Sequence, residues 1–232
     1  MNSKYRYLIP NGITFVSLTC GILSILFSAS GHFMLAGSLV LASYILDLFD
    51  GYTARRLRAA SEFGLQLDSL VDMVSLGTAP ALLLFMHLQS VGMTGWWVWP
   101  FIIVVPLAGA FRLARFNLLP PKKSGNTDSV GLTISTGGAT LALSVVADLS
   151  IPGAYLPEWT FVLLAFLISA LMVSTIPFPS FFWIFARKEI TIVLIFLFGI
   201  TILMTPFFHA WFLWTIAYLG LSLVRAGYNQ VR

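Results

Sequence analysis

Long apolar runs, broken at intervals by proline, glycine or small clusters of charge, set the pattern of this chain. A membrane-crossing helix needs about 20 mainly apolar residues. Eight runs approach that length, at roughly residues 12–29, 33–50, 67–88, 97–117, 130–149, 159–176, 189–205 and 208–225. The connections between them leave no room for a separate soluble domain, so the pattern predicts an all-α polytopic membrane protein with one embedded domain over residues 1–232. Runs seven and eight are divided by little more than Pro206 and would form either two spans or a re-entrant pair. The opening "MNSKYRYLIPNG" is too polar for a cleaved signal peptide and reads as an interfacial segment leading into the first span.

Composition agrees with the pattern. Of 232 residues, 58% are hydrophobic and 9% charged, and the mean hydropathy of +0.91 lies outside the range of soluble domains. The 13 Lys and Arg residues give the topology, since basic residues are retained on the cytoplasmic side. With the N-terminus inside and eight spans, Lys4, Arg6, Arg55, Arg56, Arg58, Arg112, Arg115, Lys122, Lys123, Arg187, Lys188, Arg225 and Arg232 all fall on inner segments. Both termini then face the cytoplasm, in the cell membrane. The net charge of +4 follows from that bias and from anionic headgroups, so it implies no nucleic-acid partner. Cys20 is the only cysteine, which excludes an intrachain disulfide and a thiolate metal site. His32, His87 and His209 fall at or near outer span ends and read as interfacial. Trp96, Trp97 and Trp99 fit an outer aromatic belt, and Asp148 stands isolated.

The stretch "DLFDGYTARRLRAASEFGLQLDSLVD", residues 47–72, departs from this background. Asp47 and Asp50 close span two at i, i+3, while Asp68 and Asp72 open span three at i, i+4, so each pair projects from one helical face. An inner loop joins the two spans, which brings four carboxylates to one membrane depth. Such crowding calls for a cationic partner. Oxygen ligands without His or Cys indicate a hard divalent ion, Mg²⁺ or Mn²⁺, and four acids suit two ions better than one. Gly51, Ala54 and Gly64 leave bare backbone where a bulky ligand can approach, and Arg55 adds a phosphate-seeking fork. These are the parts of a phosphoryl-type transfer.

Written as D-x-x-D-G-x-x-A-R, eight residues, then G-x-x-x-D-x-x-x-D, the segment from Asp47 to Asp72 resembles the complete signature of the CDP-alcohol phosphotransferases. The resemblance implies a membrane enzyme, usually a homodimer with six core spans, that moves a substituted phosphoryl group from a CDP-linked donor to an alcohol and releases CMP. The pieces "IPNGIT", "SEFGLQLDSLVDMVSLGTAPALLL", "AFRLARFN" and "LMVSTIPFPSF" resemble the integral-membrane phosphatidylserine synthase branch of that family. They touch most of residues 8–182 and leave the runs over 189–225 as additional spans. Thr133 and Phe182 depart from that branch, which usually has a proline and a lysine there.

On this resemblance the donor is CDP-diacylglycerol, the acceptor L-serine and the products phosphatidylserine and CMP. Asp47, Asp50 and Asp68 are implied as metal ligands, and Asp72 as both a metal neighbour and the general base. Gly51, Ala54, Arg55 and Gly64 are implied to contact the CDP moiety, joined by Asn11 and Thr14 from the "PNxxT" start. For the serine carboxylate, Arg112 or Arg115 beside Asn117 is the expected clamp. The alternative within the family is a sibling using glycerol 3-phosphate or inositol phosphate. A rival from another class, an ion or metal transporter, predicts acids spread along a path through the bilayer. Here they gather at one face.

Overall fold

The computed structural model describes residues 7–57, 61–118, 129–151, 156–178, 197 and 199–230. Among these, five helical segments are long and apolar enough to cross a bilayer: Leu8–Ala29, Phe33–Ala54, Glu62–Ser90, Trp96–Leu118 and Phe207–Gly227. Two shorter apolar helices, Ile134–Ser150 and Glu158–Val173, correspond to expected runs five and six. Run seven lies largely outside the described residues. We label the helices α1 (Leu8–Ala29), α2 (Phe33–Arg56), α3 (Glu62–Asp72), α4 (Ala79–Ser90), α5 (Trp99–Leu118), α6 (Ile134–Ser150), α7 (Glu158–Val173) and α8 (Phe207–Gln230). A two-residue antiparallel ladder pairs β1 (Ser129–Val130) with β2 (Pro177–Phe178).

Helix α1 is built inside out relative to a soluble helix. Its buried residues are Pro10, Thr14, Ser17, Gly21, Ser24 and Ser28, a stripe of small and hydroxyl side chains at spacings of four and three. Phe15, Ile22 and Leu26 are exposed on the rest of its surface. In lipid, burying an apolar side chain against protein gains little, so helices associate through small residues that allow close approach. The stripe packs on α2, where the Ser17 and Ser43 hydroxyls are 2.6 Å apart. The helix starts at Leu8, so residues 8–11 of the expected interfacial lead-in are helical. Pro10 sits in the first turn, where its missing N–H has no intrahelical partner to lose.

Between α3 and α4 the chain makes a π-helical turn, Met73–Thr78, directly after Asp72. Such turns insert one extra residue into a helix and concentrate at functional sites. Here the turn is gripped from both sides. On one side the Ser75 hydroxyl donates to the Ser17 carbonyl at 3.2 Å. On the other, Gly138 of α6 lies so close that a Cβ would overlap the Leu76 carbonyl oxygen. Helix α6 is buried almost throughout, from Gly137 to Asp148, and touches α2, α4, α7, α8 and the π-turn. Gly138→Ala is therefore expected to destabilise the protein by about 1–3 kcal/mol through overpacking. A lowered midpoint for thermal unfolding in detergent is the corresponding measurement.

The far end of the bundle differs from the interfacial reading of His87. That side chain is 1% exposed and Asp148 is 2% exposed. Nε2 of His87 lies 3.2 Å from Oδ2 of Asp148, and the Leu156 amide donates to Oδ1 of the same carboxylate. Asp148 is thus not isolated: the pair joins the ends of α4 and α6 and the segment leading into α7. Trp96 and Trp99 are exposed as an aromatic belt requires, but Trp97 stacks on Trp159 with ring centroids 4.8 Å apart.

Candidate active site

The acids arrive from two helices whose local sequence sets their faces. On α2, Asp47, Asp50, Gly51 and Ala54 follow i, i+3, i+4, i+7 and share one stripe. On α3 the stripe is Gly64, Asp68 and Asp72, extended because the helix begins at Glu62, five residues before the apolar run suggests. Ser61 causes that early start: its Oγ accepts the Gly64 N–H at 3.0 Å, an N-cap that satisfies an otherwise orphaned donor. The cap places Gly64 one turn before Asp68 and two turns before Asp72.

One carboxylate oxygen from each of Asp47, Asp50 and Asp68 lies within 4.8 Å of the others. Asp50 and Asp72 are buried, at 6% and 7% exposure. Asp72 is within electrostatic reach of Asp47, Asp68, Arg112 and Asp50. Three carboxylates so close, Asp50 buried and the other two half-buried, with oxygen donors only, fit a hard divalent cation, which would supply the charge that packing alone does not. The cluster can hold a divalent metal ion.

The surrounding residues divide into those the structure brings to the cluster and those it turns elsewhere. Thr14 approaches from α1, with Oγ1 2.9 Å from Asp50 Oδ2 and 3.0 Å from the Pro10 carbonyl. Asn11, also on α1, stands against Gly64, its Oδ1 3.6 Å from where a Cβ on that glycine would lie. Gly51 and Ala54 are half-buried on the acid-bearing stripe. Arg55 lies in the last turn of α2, and its side chain is outside the described residues, as are Lys4, Arg6, Arg58, Lys122, Lys123, Phe182, Arg187, Lys188 and Arg232.

Arg112 and Arg115 separate clearly. Arg112 is 8% exposed, within electrostatic reach of Asp72, Asp47 and Asp68, and its buried Nε has no hydrogen-bond partner among the described residues. Arg115 is turned the other way. Its Nη1 donates to the Val173 carbonyl at 2.9 Å, and its Nη2 lies 3.0–3.3 Å from the carbonyls of Val130, Met172 and Ser174. It staples the end of α7 to the small ladder. Gly131, at φ 76°, makes room for this: a Cβ there would sit 2.8 Å from Nη2 and from two of those carbonyls. Asn117 donates to the Ser69 hydroxyl at 3.1 Å, while its buried Oδ1 has no partner among the described residues.

Two contacts escape sequence patterning. Ser135 is a side-chain hydrogen-bond partner of Asp47, and Thr136 of Tyr44, so the first turn of α6 docks on the acid-bearing helix. Thr133 caps that turn, its Oγ1 accepting the Thr136 N–H at 3.2 Å. The one hint in the sequence is the run of hydroxyl residues at 133, 135 and 136 heading an otherwise apolar helix.

A helical membrane bundle with a half-buried carboxylate cluster at one end of two consecutive helices, beside bare glycine backbone, defines an integral membrane protein whose acids can hold a divalent metal ion. The family model for CDP-alcohol phosphatidyltransferases matches residues 7–176, and the chain belongs to that family. It is 35% identical over 183 residues to a CDP-diacylglycerol–serine O-phosphatidyltransferase of Helicobacter pylori, covering 75% of this chain and 73% of that protein. A protein of the same name from Methanocaldococcus jannaschii is 35% identical over 174 residues, covering 75% and 74%. An archaetidylserine synthase of Methanothermobacter thermautotrophicus is 31% identical over 173 residues, covering 74% and 69%.

Proposed function

We propose that this enzyme transfers the phosphatidyl group of CDP-diacylglycerol to the hydroxyl of L-serine, giving phosphatidylserine and CMP. The reading rests above all on the acid cluster of Asp47, Asp50 and Asp68 inside the matched region, in a chain whose relatives from bacteria and archaea carry the serine transferase name. Asp72 takes the proton from the serine hydroxyl as its oxygen attacks the lipid-side phosphorus and the bond to CMP breaks. Asp47, Asp50 and Asp68, with Asp72 beside them, would hold two divalent cations, Mg²⁺ or Mn²⁺, which when bound would supply charge stabilisation at the diphosphate. Gly51, Ala54 and Gly64 let the CDP moiety approach backbone, with Arg55 and Asn11 at its edges.

Arg112 is the acceptor clamp of this proposal, and Arg115 is a structural staple. A buried donor on Arg112 and a buried acceptor on Asn117, both lacking protein partners among the described residues, are the two kinds of group that a zwitterionic amino acid requires. Arg112→Lys is expected to raise the KM for serine at least about tenfold, because hydrogen bonds to charged groups contribute about 1.5–3 kcal/mol, and to change the KM for CDP-diacylglycerol much less. Arg115→Lys should lower thermal stability and leave the serine KM near that of the wild type. Steady-state kinetics on both variants, varying each substrate in turn, checks the pair.

The protein works as a homodimer in the cell membrane, with the acids and both termini on the cytoplasmic side. All 13 basic residues fall on the termini, connections or span ends assigned to that side, which supports the orientation. Nucleotide and serine then arrive from water while the acyl chains remain in the bilayer. The deciding assay supplies purified protein with CDP-diacylglycerol and either L-serine, glycerol 3-phosphate or inositol phosphate, and follows CMP release and the lipid product. Turnover with a phosphorylated acceptor but not with serine would move the chain to a sibling activity of the same family.

A further inference from the structure

Carboxylates held within 4.8 Å of one another repel, and each is free to rotate about its last bond unless a neighbour fixes it. Thr14 is such a neighbour for Asp50. It is 5% exposed, it comes from α1, 36 residues away in sequence, and its Oγ1 lies 2.9 Å from Asp50 Oδ2. The same oxygen is 3.0 Å from the Pro10 carbonyl, the usual outlet for a threonine inside a helix. A hydroxyl has one proton to donate, and a carboxylate is a stronger acceptor than a peptide carbonyl. The proton therefore goes to Asp50. The branched Cβ restricts χ1, so the rotamer that reaches back along α1 is the one that aims at the acid.

A second hydroxyl, that of Ser135 on α6, is a side-chain hydrogen-bond partner of Asp47. The two acids of α2 are thus each approached by a hydroxyl from a flanking helix.

We propose that Thr14 is a positioning residue for the acid cluster: its hydroxyl fixes the plane of the Asp50 carboxylate so that Asp50 meets Asp47 and Asp68 at one cation, and it does not contact the CDP diphosphate. The proposal rests on the reading of that cluster as the metal site. Partners one step removed from a metal ligand typically change metal affinity 10- to 100-fold when lost.

The test is Mn²⁺ binding to the full-length protein in detergent micelles without nucleotide, read from the electron paramagnetic resonance of free Mn²⁺. Thr14→Val, which keeps the shape and removes the donor, is expected to raise the Mn²⁺ dissociation constant at least about tenfold. Thr14→Ser, which keeps the donor, should bring it back to within about threefold of wild type. CMP binding is measured on the same three proteins, and thermal unfolding in chelator gives the folded fraction of each. Wild-type Mn²⁺ affinity in Thr14→Val overturns the proposal, and a loss confined to CMP affinity would assign the hydroxyl to the nucleotide. Equal weakening in Thr14→Val and Thr14→Ser overturns it too, since the donor would then not matter. A wild-type protein that binds no Mn²⁺ removes the metal reading and this proposal together. Normal Mn²⁺ binding without serine-dependent CMP release leaves the positioning role standing and removes only the acceptor.

Discussion

Asp68→Asn is expected to reduce CMP release by about 1,000-fold or more while leaving the protein folded. A metal that stabilises developing charge in phosphoryl transfer contributes several kcal/mol, and each 1.36 kcal/mol is a factor of ten in rate. Asn keeps the volume of Asp68 and one carbonyl oxygen but loses the charge that would hold a divalent ion beside Asp47 and Asp50 on the proposed reading. Without metal, the substitution removes one of several crowded like charges, so in excess chelator the variant should unfold at the wild-type temperature or above it. The two measurements therefore separate in sign: activity falls steeply and apoprotein stability does not. Full turnover of the wild type in excess chelator, or near-normal turnover of Asp68→Asn, would show that the acids do not act through a metal.

The same acids were the most legible part of the molecule, for a simple reason. Charges in an apolar run are costly, and spacings of three and four residues fix a helical face without any tertiary information. Asp47, Asp50 and Asp68 accordingly meet as their spacing predicts. What surrounds them was less legible, because it depends on contacts between distant segments. Nothing near Thr14 points to Asp50, and a uniformly apolar run carries no mark of the extra residue that makes Met73–Thr78 a π-turn. Helix ends were misplaced where capping, and not hydropathy, decides them, as at Ser61 before α3. Arg112 and Arg115 are alike in sequence terms. Their difference follows from the carbonyls that the end of α7 and Val130 present to Arg115.

His87→Ala is expected to destabilise the protein by about 3 kcal/mol, the upper end of what leaving a buried polar group without its hydrogen-bond partner costs. Among the described residues, the carboxylate of Asp148, 2% exposed, would keep only the Leu156 amide. The edges of Phe33 and Phe161, whose ring centroids lie 5.8 and 5.2 Å from the imidazole, offer no replacement hydrogen bond. For a chain of this size the change corresponds to a fall of roughly 6–12 °C in the unfolding midpoint. Replacing both partners by apolar residues, as in His87→Phe with Asp148→Leu, should recover most of that loss, because it removes the stranded polar group along with its partner. The catalytic constants of the folded fraction should hardly move, since His87 lies 15 residues beyond Asp72, about 22 Å along the helical path. Thermal unfolding of the wild type, His87→Ala, the single variants His87→Phe and Asp148→Leu, and the double variant, together with KM for serine and CDP-diacylglycerol, completes the cycle. A double variant as unstable as His87→Ala would mean that packing around the imidazole, and not the stranded carboxylate, carries the effect. A rise in either KM without a fall in stability would mean that the His87 end of α4 communicates with the acids through the π-turn between them.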